Sequence, residues 1–187
     1  MIRRLLIFTL FVSQLSLAQG TEGPGGAAPA PPAADSDAPE AKEAKSLLQK
    51  YLAAVKAKKW ADAKKWIHPQ TLQAIAERKK RMGKEDHPMA PWFHEKVNYW
   101  LKEFKLGAAS SVGANAMMVE ALEDNYQIAD KGLAEGEPVA YLLGKKDGKW
   151  LVVDKKRGEV FSAASVKLGY KGWFDKAPKP AEAEEAP

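Results

Sequence analysis

The sequence predicts an α+β domain: N-terminal helices packed on an antiparallel sheet, with a disordered arm at each end. Three observations carry this. Between residues 44 and 104 the large apolar residues recur at helical spacing. After Gly107 the period shortens toward alternation, as in "AMMVEALED". Two dense apolar runs, "EPVAYLLG" and "KWLVVD", are joined through "KKDG", and Asp147-Gly148 is a strong two-residue hairpin signal. Helices first and strands after is the α+β order.

The chain opens "MIRRLLIFTLFVSQLSLAQG". Arg3 and Arg4 make a basic start, Leu5 to Leu17 is mainly apolar, and Ser16 and Ala18 stand at the small-residue positions of a cleavage site. Residues 1–18 therefore read as a secretory signal peptide, too short to cross a bilayer. The expected product is exported, to a periplasm or beyond the cell, and is not transmembrane. The chain has no Cys, so neither a disulfide framework nor a lipid-bearing Cys is available, and the core alone must hold the fold.

Residues 19–40 hold no apolar side chain larger than Ala and read as a disordered Pro/Ala/Gly linker. Residues 177–187 read as a second such arm, which leaves 41–176 as one domain. That body holds 26 Lys and Arg against 17 Asp and Glu, a net +9, while the linker is −4 and the tail −2. A basic body between acidic arms favours an anionic partner, such as an envelope component, and equally allows the arms to associate with the body.

Within the domain, Ala44, Leu47, Leu48, Tyr51, Leu52 and Val55 form one face of a first helix. The same face continued would reach Lys58, Lys59 and Asp62, so the helix stops near 57–59 and a second begins at Trp60. "KKWADAKKW" is then a helix join, with its lysine pairs at two helix C-termini, where cations complement the exposed carbonyls. Pro69 opens a third helix with Leu72, Ile75, Ala76 and Met82 inward and Gly83 as its stop. Pro91 opens a fourth, with the stripe Phe93, Val97, Trp100, Leu101 and Phe104, ending at Gly107. Three or four strands follow, the last pair placed near the middle of the sheet. A short helix and an aromatic lid of Tyr170, Trp173 and Phe174 close the chain. Trp66, Trp100 and Trp150 are expected in the core.

"LLQKYLAAVKAKKWADAKKWIHPQTL" resembles the opening helices of NTF2-like (SnoaL-like, cystatin-related) domains, and "DGKWLVVD" resembles their final strand. The similarity covers roughly residues 42–155. It implies a curved sheet wrapped around helices into a cone, often with an apolar pocket and often a homodimer. It implies no single activity, because the fold hosts enzymes, carriers and exported binding domains. Enzymes of that superfamily place a carboxylate in the cone, often with a His or Tyr. Asp62, Glu120, Tyr51, Tyr99 and Tyr141 are the residues available for such a role. "RKKRMGKEDHPMAPWFHEKVNYW" is long enough to cover the mouth.

No Gly-x-Ser-x-Gly or Ser-x-x-Lys signals a nucleophile, and no cofactor is expected. Trp92, Trp173 and Tyr141 are candidate ligand-binding aromatics for a small apolar ligand. Arg78, Lys79, Lys80 and Arg81 are a candidate anion site, or a solvated helix end. His87, His94 and Met89 are candidate copper or zinc ligands, although no helix spacing pairs them. No motif supports base-specific reading of nucleic acid. The leading expectation is an exported, non-enzymatic ligand- or partner-binding domain. An NTF2-like enzyme using acid–base chemistry in its cone, or a Met/His metal binder, stands beside it.

Overall fold

The computed structural model describes residues 38–96, 100–126 and 132–176, all in one compact unit. The predicted signal peptide, nearly all of the linker, the acidic tail, Val97 and Tyr99 lie outside the described residues. No described helix is long and apolar enough to cross a membrane.

Helix α1 (Pro39–Lys56) begins with Pro in its first turn, Glu40 beside it, and ends on Lys56. It thus starts inside the stretch expected as linker. Its buried face is Ala41, Ala44, Leu48, Tyr51, Leu52 and Val55. The expected break follows: Lys58 takes φ +56°, a left-handed value that no helix continues through. Helix α2 (Trp60–Lys65) is short, and helix α3 (Pro69–Met82) ends on left-handed Gly83. His68 caps α3, its Nδ1 accepting from Gln70 N at 3.3 Å.

The inward face of α3 differs from expectation. Thr71 and Ile75 are buried and Leu72 is half-buried, but Ala76 is exposed and Met82 is 57% exposed. The bond at Thr71 sets this rotation: its hydroxyl donates to the Val153 carbonyl at 2.6 Å. Thr71→Val keeps the shape and deletes the donor. Urea unfolding is expected to show a loss of about 1–3 kcal/mol, because the carbonyl is left buried without its partner.

The fourth helix is the main correction. Helix α4 is described over Pro91–Lys96, and Trp100–Gly113, expected to continue it as far as Gly107, is strand β1. The three-residue spacing of Leu101 and Phe104 comes from a bulge. Leu101 faces Asn125, Glu103 faces Asp124 and Phe104 faces Glu123, so Lys102 is the extra residue. A second irregularity lies between Leu106 and Ala109. An inserted residue turns strand spacing from two into three on one face and so imitates a helical stripe.

β1 pairs with β2 (Ala116–Tyr126), β2 with β3 (Leu133–Lys146) and β3 with β4 (Lys149–Arg157), all antiparallel, in the order β1-β2-β3-β4. The predicted hairpin turn is present, with Asp147 and Gly148 at φ 52° and 73°. The last pair is not central: β4 is an edge. That edge is covered by the α2–α3 join, where Val152 N donates to Trp66 O and His68 N donates to Val152 O, both at 2.8 Å. A bulge at Val153 adds to those in β1, and the sheet curves.

One core lies between the sheet and α1, including Leu48, Leu52, Val119, Leu143 and Val152. A second lies on the other sheet face beneath helix α5 (Ala163–Gly169), with Tyr170, Trp173 and Phe174 packed against it as expected. Trp150 is core, at 5% exposure. Trp66 and Trp100 are only half-buried, and the Trp100 ring lies tilted against Tyr126, centroids 5.0 Å apart, with the Lys58 ammonium over its face.

Candidate functional site

In β2 the side chains of Met117, Val119 and Ala121 face the helices, and the same alternation carries Glu123 and Asn125 to that face. Both are buried, Glu123 at 1% exposure. They meet Tyr141 from β3 and Lys155 from β4, a directly opposed cross-strand pair, beneath Tyr51 of α1.

Glu123 is bonded through both oxygens. Oε1 accepts from the Tyr141 hydroxyl; Oε2 accepts from Lys155 Nζ at 2.6 Å and from Asn125 Nδ2 at 3.2 Å. Asn125 Nδ2 also donates to Glu137 Oε2 at 3.1 Å, and the Arg157 guanidinium lies 3.8 Å from the same oxygen. Tyr51 meets the Tyr141 ring edge-on, centroids 6.3 Å apart. Two carboxylates and two cations thus form a charge-balanced chain running outward from the core.

Burial by itself would push the Glu123 carboxyl up. The Lys155 ammonium, with the hydrogen bonds from Lys155, Tyr141 and Asn125, outweighs burial and holds it below the ordinary carboxylate range. Burial and the Glu123 charge push Tyr51 and Tyr141 well above the usual phenol range. The cluster is therefore an ionised carboxylate held by donors that keep their protons.

The hollow above it is about 30 Å³, lined in part by Tyr51, Pro88, Pro91 and His94, which is room for about one water. Pro88, His94, Lys155 and Arg157 also line a surface cleft of about 390 Å³. Pro88 and His94 thus border both the hollow and the cleft. A wider trough of about 770 Å³ lies against the sheet near Glu120, Leu122, Pro138 and Val160, open to solvent. Leu122 is 47% exposed there and Val160 61%.

The candidate aromatics do not converge. Tyr141 sits in the buried cluster. Trp92 donates from Nε1 to Glu85 at 2.6 Å, with the Lys64 ammonium 4.3 Å from its ring. Trp173 stacks on His68 at 5.5 Å, and its carbonyl accepts from His68 Nε2 at 3.1 Å. Of the basic run, Arg78 pairs with Asp86 at 2.7 Å and Lys79 with Glu85 at 3.0 Å. Lys80 and Arg81 are exposed and form no ion pair with a described residue.

Met89 is fully buried in the core, and His87 Nδ1 accepts from the Met89 backbone N–H at 3.1 Å. Burial pushes the pKa of both His87 and His94 down. Among the described residues no three His, Asp or Glu side chains gather to hold a metal ion. Asp62 is paired with Lys65 near the surface, and Glu120 is exposed on the sheet face away from α1. Glu123, Asn125 and Lys155 are the residues missed by sequence reasoning. Their signal was parity: Glu123 is two residues beyond Ala121, on the apolar side of the alternation.

No family model matches this chain, and no curated protein or solved structure matches it.

Proposed function

We propose that this chain is an exported, non-enzymatic binding domain of NTF2-like type that takes an anionic partner on its surface. The observation carrying the non-enzymatic reading is Glu123, an interior carboxylate paired with Lys155 and bonded at both oxygens beside a hollow of about 30 Å³. A general base needs a reachable proton and a pKa near the working pH. This carboxylate has neither: it is held low, and the space beside it is far below the roughly 300 Å³ or more that ligand pockets occupy. The net +9 on residues 41–176 supplies the chemistry of the partner.

A carbon-detected NMR titration, assigned with Glu123→Gln, tests this. The Glu123 carboxyl is expected to titrate below the ordinary value of about 4.3. A midpoint raised by a unit or more would instead support the second reading, acid–base catalysis in the cone. What favours that alternative is the enclosed Glu123–Tyr141 contact beside a cleft that Lys155 and His94 also line.

A further inference from the structure

A separate groove gathers several cations, most of them without an acidic partner among the described residues. Lys42, Ser46 and Lys50 lie at i, i+4 and i+8 on α1, so they share one exposed face. Lys65 and Trp66 reach the groove from the end of α2, and Lys149 and Trp150 from the β3–β4 hairpin. Together they line a cleft of about 660 Å³ in which Glu43 is the only acid among the described residues. Lys65 is paired with Asp62 at 2.7 Å. Lys42, Lys50 and Lys149 form no ion pair with any described residue. Lys50 rests 5.9 Å from the half-buried Trp66 ring.

Like charges drawn into one groove from three elements repel, so they detract from stability rather than add to it. A second feature is independent of charge: the half-buried Trp66 indole lines the same groove.

We infer that this groove is a binding site for an acidic polysaccharide. Its carboxylate or sulfate groups meet Lys42, Lys50 and Lys149, and one pyranose ring packs its apolar face on Trp66. Single-stranded nucleic acid fits less well, because such binders stack successive bases on a row of aromatics. Here one indole, Trp66, is partly exposed and Trp150 is buried. The assignment also moves the anion site away from the end of α3, where Glu85 and Asp86 already hold Lys79 and Arg78. It rests on the anionic-partner reading above and adds the place and class of partner.

The test is calorimetric titration of the full chain with a heparin-derived dodecasaccharide at several salt concentrations. The variant Lys42→Ala/Lys50→Ala/Lys149→Ala is compared with a charge-matched control, Lys80→Ala/Arg81→Ala/Lys167→Ala, both checked for native circular dichroism. The groove variant is expected to bind at least about tenfold more weakly, with a shallower dependence of log K on log salt by about two to three. The control is expected to lose less than about threefold. Equal losses in the two variants, or none in the groove variant, overturn the groove while leaving the anionic-partner reading standing. Tighter binding of a single-stranded DNA of equal charge overturns the polysaccharide class. A wild-type chain that binds neither polymer overturns both the groove and the reading beneath it.

Discussion

Lys155→Ala is expected to destabilise the fold by about 3–5 kcal/mol at pH 7 in urea unfolding, because it leaves a buried carboxylate without its counter-ion. Glu123 is 1% exposed, and the Lys155 side chain is 13% exposed, so solvent does little to replace the lost pair. The pH dependence has a definite sign. In the parent chain Glu123 is held below its unfolded pKa. Its contribution is therefore complete above the ordinary carboxylate range and is lost as pH falls through the folded value. Without Lys155, burial dominates and the folded pKa rises above the unfolded one. The variant's penalty is then greatest at neutral pH and shrinks as acid protonates Glu123, so the gap between the two proteins narrows toward pH 4. Lys155→Met combined with Glu123→Gln removes both charges and leaves Tyr141 an acceptor. It should recover most of the loss, since replacing a buried pair is often near neutral. A Lys155→Ala penalty below about 1 kcal/mol would mean that Glu123 is not held ionised by this contact, and the non-enzymatic reading would lose its main support.

Gly144→Ala is expected to cost about 1–3 kcal/mol, an overpacking penalty out of proportion to one methyl group. A Cβ at this position overlaps Cδ1 and Cε1 of Phe174. The ring cannot simply withdraw, because the residue after it is pinned. Asp175 N donates to Lys145 O at 2.9 Å, and the Asp175 carboxylate accepts from Asp147 N at 3.0 Å and Gly148 N at 2.9 Å, across the hairpin turn. Asn115 Nδ2 adds a bond to the Asp175 carbonyl at 3.0 Å. The added methyl therefore has to displace the segment that closes the second core. Phe174→Ala carries its own cavity cost but removes the clash. In a double-mutant cycle the pair should be less damaging than the sum of the singles. Strict additivity would show that Phe174 does not lie against Gly144.

Much of the fold was legible because its causes are local. The break after α1 is readable at residues 57–59, since the apolar face of α1 cannot be extended through Lys58, Lys59 and Asp62. Pro69 and Gly83 mark the ends of α3, and Asp147-Gly148 marks the hairpin, because each satisfies a backbone geometry within a few residues. The error over 100–107 has the opposite origin. A bulge is a property of two strands in register, so one strand read alone offers Leu101 and Phe104 at a spacing that also suits a helix.

The sites divide in the same way. Glu123 is marked in sequence by parity, but its meaning depends on Tyr141 and Lys155, which lie 18 and 32 residues away. The groove lysines are unremarkable along the chain, since Lys42 and Lys149 share a cleft only after α1 has packed beside the β3–β4 hairpin. By itself the sequence determined the order of helices and strands, the joins between them and the excess of positive charge, all set by neighbouring residues or by composition. Only the tertiary structure decided which charges are neutralised in the interior and which are left facing a groove. Electrostatic energy depends on distance and burial, and both come into being when remote segments meet.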